Sequence, residues 1–244
     1  MKTLKIGLIG HGHFGSALAH KIQSKTQFEL IISHSRKEST TVAKNSDLIL
    51  LTVRPQHVKD ALIELKPYLE GKLVISFAAA LPKDWLAKIV GSKTTIIRAM
   101  ADIDFMQIIS EENREAAELL AAVSQYPLIQ TKKESDIDAM TPFLGCLPGI
   151  AAWQHHNHPN EATAWLNKWC KLTESILGIP KKVPQAIIQK VIAKGKFEKQ
   201  ITEVATPGGI TASMLDAMNQ GELNHEQVFK IGAKRIQDTA DSLT

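Results

Sequence analysis

The residues with the clearest chemical capacity are Gly10-His11-Gly12-His13-Phe14-Gly15, directly after the apolar run Leu4–Ile9. Glycines at this spacing, between a strand and a helix, form a turn that cradles phosphates. Gly10 permits the tight turn, Gly12 lets a pyrophosphate approach the backbone, and Gly15 lets the helix pack on the sheet. The helix start adds unpaired N–H groups and the positive end of its dipole. His11 and His13 are expected to contribute backbone rather than imidazole chemistry. At the end of the next apolar run, where a carboxylate usually binds a ribose 2′-hydroxyl, the chain reads Ser33-His34-Ser35-Arg36-Lys37. Hydroxyls and two cations stand there instead. Arg36 can clasp a 2′-phosphate through two donors, and Lys37 can add a point charge, with Ser35 between strand and cations. The reading is a dinucleotide site that prefers NADP(H) over NAD(H).

Other reactive residues carry less. His155, His156 and His158 have no Cys or carboxylate partner at metal-ligand spacing and fit a turn between helices, so no metal is expected. Cys146 has no identifiable base and is not expected to act as a nucleophile. Trp153, Trp165 and Trp169 fall on helical ground and are expected to pack in a core or interface rather than stack on bases.

The elements that must position these residues follow from patterning. Apolar runs at Leu4–Ile9, Phe28–Ser33, Asp47–Thr52, Leu73–Phe77 and Thr95–Arg98 alternate with amphipathic stretches near Phe14–Ser24, Gln56–Leu65 and Lys83–Val90. That alternation reads as βαβ units, hence a parallel sheet with helices on both faces. Ser110 is expected to cap a further helix, with Glu111 and Glu112 in its first turn and an end near Ser124; a strand at Pro127–Gln130 follows. Beyond about Glu134 only helical stretches stand out, such as Glu161–Leu177, Pro184–Ala193 and Thr211–Gln220. The expected fold is α/β: a Rossmann-type doubly wound parallel sheet over residues 1–134, then an all-α domain over 135–244 whose apolar faces a second copy of the chain would complete.

Composition narrows the function classes. The 244 residues are 44% hydrophobic and 22% charged, with 29 Lys and Arg against 25 Asp and Glu and a net charge of +4. The basic residues are scattered rather than gathered in a stripe, so nucleic acid is not an expected partner. Two cysteines are too few for a disulfide framework, no apolar run reaches the roughly 18 residues of a membrane span, and the N-terminus is too short and glycine-rich in its apolar stretch for a signal peptide. A cytoplasmic location is expected.

Several motifs together resemble the pyrroline-5-carboxylate reductase family, and they follow its order along nearly the whole chain. After the glycine turn come Thr52-Val53-Arg54-Pro55-Gln56, Ile75-Ser76-Phe77-Ala78-Ala79-Ala80 and Arg98-Ala99-Met100-Ala101-Asp102-Ile103. Then come Leu144-Gly145-Cys146-Leu147-Pro148-Gly149 and Thr206-Pro207-Gly208-Gly209-Ile210-Thr211. The last, a P-G-G-x-T element before an amphipathic helix, is the most specific. The resemblance implies a helical domain that dimerises by interlocking, with each active site between one subunit's nucleotide domain and helices of the other. It implies that Val53, Arg54 and Pro55 line the cofactor's phosphate path, that Ala78 and Ala79 lie on the nicotinamide side, and that Asp102 stands beside that ring. Thr206 with the amides around Gly208 and Gly209 would hold a substrate carboxylate, and Thr211 would hydrogen-bond an imine nitrogen. The implied reaction is reduction of 1-pyrroline-5-carboxylate to L-proline by NADPH.

Three departures bear on that reading. The family's M-P-N-T becomes Met100-Ala101-Asp102-Ile103, placing a carboxylate where an amide is usual. An ion about 4 Å away at an effective dielectric of about 20 is worth roughly 4 kcal/mol, favouring a cationic iminium but opposing an anionic substrate; burial could instead protonate the group. The family's S-G-S-G-P-A loses both serines and gains the bulky Leu147, which predicts an altered or smaller pocket. The segment between Asp104 and Ser110 is short, so one edge strand is expected to be missing. Two alternatives stand beside the reductase: a non-catalytic or substrate-shifted dinucleotide-binding homologue, and a hydroxyacid dehydrogenase, for which no persuasive G-x-x-x-K helix is found.

Overall fold

The computed structural model describes residues 3–102, 106–110, 114–123, 128–222 and 224–244. The chain divides into two compact units, Met1–Ile137 with Thr239–Thr244, and Asp138–Asp238.

In the first unit, β1 (Leu4–Ile9), β2 (Phe28–Ser33), β3 (Leu48–Leu51), β4 (Leu73–Ser76) and β5 (Thr95–Asp102) pair in parallel. Two more strands follow, β6 (Met106–Ser110) and β7 (Leu128–Thr131), and the sheet order is β2-β1-β3-β4-β5-β6-β7. Helices α1 (His13–Gln23), α2 (Ser39–Asn45), α3 (Pro55–Leu65), α4 (Lys83–Val90) and α5 (Arg114–Val123) connect them. Side-chain alternation sorts the core onto two faces. Ile6, Leu8, Leu48 and Leu50 meet α1 and α5, while Ile9, Ile49 and Leu51 meet α2, α3 and α4. This is the expected doubly wound Rossmann-type sheet. Its order reverses between β1 and its neighbours β2 and β3, the switch point at which such sheets bind ligands.

Two expectations are corrected. The strand expected to be missing is β6, and it lies inside the sheet, antiparallel to β5 and parallel to β7. Parallel pairing with β4 ends at Ser76–Arg98, but β6 supplies ladder partners beyond it, Ala99 to Ile109 through Asp102 to Met106. Strand β5 therefore runs four residues past Arg98. Ser110 is correspondingly the last residue of β6 rather than a helix cap, and α5 is described from Arg114; Glu111, Glu112 and Pro127 lie outside the described residues. Arg98 is buried in this part of the sheet and its Nη1 pairs with Glu134 just after β7.

The second unit is helical. Its elements are α6 (Asp136–Met140, which begins at the unit boundary), a π-helical turn (Thr141–Gly145), α7 (Leu147–Asn157), α8 (Ala162–Leu177), α9 (Lys182–Lys194), α10 (Phe197–Val204), α11 (Ile210–Asn219) and α12 (His225–Leu243), the last continuing into Thr239–Thr244. Helix α7 packs against α8, α9, α10 and α11. Every residue from Leu147 to Gln154 is buried, so α7, which carries Trp153, shows no amphipathic stripe to mark its bounds. The tryptophans are packed as expected: Trp169 donates to the Phe143 carbonyl at 3.0 Å, and Trp153 to Asn219 Oδ1 at 2.8 Å. Half-buried Trp165 stacks on His225 at 4.1 Å, and His225 Nε2 lies 2.9 Å from the Trp165 carbonyl. His158 to Glu161 turn the chain between α7 and α8, and among the described residues no group of His, Cys, Asp and Glu is arranged to hold a metal.

Ala80, a non-glycine residue, has φ 67° and is buried. A left-handed non-glycine residue costs roughly 1–2 kcal/mol, against about 0.5–1 kcal/mol of extra chain entropy for glycine. Ala80→Gly should therefore raise stability by up to about 1 kcal/mol, read as a higher urea midpoint. Burial lowers the His225 pKa, opposed in part by the Trp165 carbonyl, and burial lowers that of His155, stacked on Phe197, as well. A histidine depressed in the fold favours folding fully above its unfolded pKa of about 6.5, and that contribution is lost as pH falls below it. Thermal stability should fall between pH 7.5 and 5.5, and His225→Phe should flatten the fall, leaving the part due to His155.

Candidate cofactor and substrate sites

The first site grows from the end of β1. Gly10 has φ 106°, and a Cβ there would lie 2.7 Å from the backbone of Thr52 and Val53. The Thr52 amide donates to the Ile9 carbonyl at 2.8 Å, and its hydroxyl donates to the Gly10 carbonyl. A Cβ on Gly15 would stand 1.9 Å from the Gly10 carbonyl oxygen. Strand ends and helix start are thus in direct backbone contact. Gly12 differs: it is the N-cap of α1, exposed, with φ −79° and ψ −167°, and a Cβ there meets nothing within 4 Å. No protein atom requires a glycine at that point, and no side chain caps α1. An open face over uncapped N–H groups at a helix start fits a pyrophosphate. A dinucleotide held there would supply hydride chemistry.

Beside the turn a cleft of about 380 Å³ opens at the ends of β1, β2 and β3, lined by Gly10, His11, Ser35, Arg36 and Val53 among others. Ser33 donates to the Ser35 carbonyl at 2.7 Å, and the His34 amide to Glu38 Oε2 at 2.8 Å, which shapes the strand end. His11 and His34 meet edge to face at 4.8 Å. Lys37 is exposed in the following turn and is not part of the cleft wall. His13 opens α1 with its side chain exposed, while Phe14 packs on Phe77 at 5.2 Å. Arg54 precedes α3 as its N-cap and Pro55 is its first residue. Ala78 is buried in the core face shared with α3 and α4, and Ala79 is half-buried beside it. Asp102 closes β5 opposite Met106.

Sequence reasoning missed the cleft wall supplied by α3: His57, Asp60 and Glu64. Val58, Leu62 and Leu65 bury against the sheet, so 57, 60, 61 and 64 share another face at helical spacing. That periodicity marks them as one surface; only the packing of α3 makes it a cleft wall. Glu64 Oε2 accepts a bond from Arg36 Nε at 2.9 Å.

The second site lies in the helical unit. After α10 the chain turns through Thr206 to Gly209: the Gly209 amide donates to the Thr206 carbonyl at 2.8 Å, and Gly208 has φ 71°. Gly209 is the N-cap of α11, again without a side-chain cap. From α12, Arg235 donates Nε to the Gly208 carbonyl at 2.9 Å, with Nη2 on the same oxygen, and so fixes the loop. Thr211 stands in the first turn of α11, its methyl so close to α7 that a Cβ on Gly149 would lie 2.7 Å from it. Cys146 lies beside it; burial pushes that thiol up to about 12, opposed in part by the neighbouring Thr211 side chain, so it stays protonated at neutral pH, unsuited to nucleophilic attack. Leu147 is fully buried at the start of α7.

A family model described as NADP oxidoreductase, coenzyme F420-dependent, matches residues 32–80, from the end of β2 through Ala80. The pyrroline-5-carboxylate reductase of Aquifex aeolicus is 28% identical over 61% of this chain and 64% of its own length. Pyrroline-5-carboxylate reductase 2 of Bacillus subtilis is 22% identical over 88% of this chain and 86% of the relative. The chain is a divergent relative of the pyrroline-5-carboxylate reductases. It covers less than two thirds of the Aquifex aeolicus relative's length. The fold agrees with solved members. Plasmodium falciparum pyrroline carboxylate reductase with NADP bound has a TM-score of 0.58 at 20% identity, covering all of both chains. The Coxiella burnetii enzyme has 0.57 at 17%, covering 98% of this chain and 99% of its own. Such likeness establishes the Rossmann-type first domain and helical second domain of these reductases in this relative.

The two glycines of the turn should separate by substitution. Gly12→Ala should leave the melting temperature within about 2 °C and weaken dinucleotide binding at least about tenfold, because the new methyl enters the ligand's space alone. Gly15→Ala should cost about 3 kcal/mol of stability, since its methyl meets backbone. Denaturation and nucleotide titration on both variants check this.

Proposed function

We propose that this chain is an NADPH-dependent imine reductase that converts 1-pyrroline-5-carboxylate to L-proline. The observation that carries the reading is the Thr206–Thr211 turn: backbone donors at an uncapped helix start, held by Arg235, with a hydroxyl one residue into the helix. An anionic carboxylate suits the amides around Gly208 and Gly209 with Thr206, as at other helix starts. Thr211 then meets the imine nitrogen. The reduced nicotinamide, when bound, supplies the hydride that adds to the carbon of the protonated C=N bond. Water supplies the proton on nitrogen, and the chain contributes orientation and charge.

On the cofactor side, Gly10, His11, Gly12, His13, Phe14 and Gly15 take the pyrophosphate. Ser35 and Arg36 meet the 2′-phosphate and Lys37 adds charge from the exposed turn beyond the cleft wall, giving the preference for NADP(H). Val53, Arg54 and Pro55 follow the phosphate path, while Ala78, Ala79 and Asp102 belong to the nicotinamide side. Residues 1–134 bind the cofactor and 135–244 the substrate. The helical part forms a homodimer, a reading supported by the family likeness and by Ile176 and Ile192, which are exposed on α8 and α9. No described helix is long and apolar enough to cross a membrane, and a cytoplasmic location suits the small-molecule chemistry. A substrate-shifted or non-catalytic homologue is the second reading, favoured by the bulky Leu147 buried at the start of α7.

NADPH oxidation with and without pyrroline-5-carboxylate, with NADH in parallel, tests the proposal. Turnover preferring NADPH is expected, and Arg36→Ala should raise the KM for NADPH about tenfold or more while leaving NADH little changed. Binding of NADPH without turnover on this imine would move the function to the second reading.

A further inference from the structure

The cleft at the end of β2 contains an interaction that no motif predicts, and its meaning rests on the dinucleotide reading above. Arg36, the cation placed to meet a 2′-phosphate, is held by Glu64 at 2.9 Å. Its guanidinium pKa is raised by that hydrogen bond and charge and, more weakly, by Asp60. Glu38, the carboxylate nearest in sequence, is taken up by the His34 amide. The two partners are held differently. Arg36 lies in a short exposed turn with its side chain 70% exposed, whereas Glu64, at 33%, sits on α3 between the buried Leu62 and Leu65. An incoming phosphate can draw Arg36 away, because an exposed ion pair is weak. It cannot move the Glu64 backbone, and the carboxylate remains on the cleft wall with Asp60 one turn behind it.

We infer that Glu64 limits the preference for NADP(H) that Arg36 gives this cleft. A 2′-phosphate must take Arg36 from Glu64 and then lie beside the carboxylate that lost it, which holds NADPH affinity down. A ribose 2′-hydroxyl can instead donate a hydrogen bond to Glu64 while Arg36 stays paired. The carboxylate absent from the end of β2 is therefore supplied by α3, from a position 28 residues along the chain.

The test uses the full chain and needs no turnover. Dissociation constants for adenosine 2′,5′-bisphosphate and for AMP are measured by calorimetry at low salt, alongside NADPH and NADH by nucleotide fluorescence. Glu64→Gln should tighten the 2′-phosphorylated ligands about tenfold and weaken AMP and NADH by about twofold, and the gain should shrink as salt screens the charges. Asp60→Asn should give a smaller change of the same sign. In an Arg36→Ala background Glu64→Gln should help markedly less, since part of its effect is the release of Arg36. Selectivity that moves less than about twofold in Glu64→Gln, with an unchanged melting temperature, would overturn the inference. If the unsubstituted chain binds none of the four ligands, the dinucleotide reading itself falls, an outcome distinct from binding without a selectivity change.

Discussion

The architecture of the first unit depends on backbone contact between the end of β1, the end of β3 and the start of α1. A side chain on Gly10 would collide with Thr52 and Val53, and one on Gly15 with the Gly10 carbonyl. Because these elements touch through backbone, α1 leaves the sheet at one angle and its first N–H groups face the open side over Gly12. The Thr52 hydroxyl, on the carbonyl oxygen of Gly10, ties the same corner. Everything else at the cofactor site inherits its place from this corner: β2 runs beside β1, α3 begins just beyond Thr52, and the cleft is what remains between them. Hydrophobic burial drives the sheet and helices together without selecting such a corner, since apolar area is non-directional. Steric exclusion selects it.

Electrostatics then divides the chain's cations by role. Arg98 is buried and paired with Glu134, close to the point where the sheet changes from parallel to antiparallel pairing. A charge so placed is kept only with its partner, because an unpaired buried ion costs several kcal/mol, on the order of 3–5 when one partner is removed. Arg36 is exposed and its pair can be exchanged for a ligand at small cost. Arg235 takes a third role: it donates to the backbone carbonyl of Gly208 and fixes the turn before α11. The same side-chain chemistry therefore serves folding, an exchangeable surface pair and loop geometry according to burial.

In the helical unit, α7 is the organising element. Its residues Leu147–Gln154 are all buried, it packs against α8, α9, α10 and α11, and its first residues meet α11 closely enough to leave room only for glycine at 149. Cys146, just before α7, lies beside Thr211, so one of the residues that replace the related family's serines remains in the neighbourhood of the proposed chemistry. The π-helical turn immediately upstream is where the regular ladder is interrupted, a feature frequent near functional sites.

The amino-acid sequence by itself determined the elements whose signals are local. The glycine spacing at 10, 12 and 15, the apolar runs of β1 to β4 and the P-G-G-x-T turn are each read from neighbouring residues, because a turn, a strand period and a helix start are set by short-range sterics and hydrogen bonding. Tertiary structure decided what depends on distant partners. Strand β6 exists because β5 and β7 offer it ladders on both sides, which no property of Met106–Ser110 announces. The bounds of α7 were not legible, although Trp153 was expected on helical ground, because a segment buried all round loses the polar face that marks where a helix runs. The α3 wall of the cofactor cleft and the meeting of Cys146 with Thr211 were equally invisible. Glu64 faces Arg36, and Thr211 faces Cys146, only after helices have packed and turned particular faces toward each other, and that orientation is a property of the whole core.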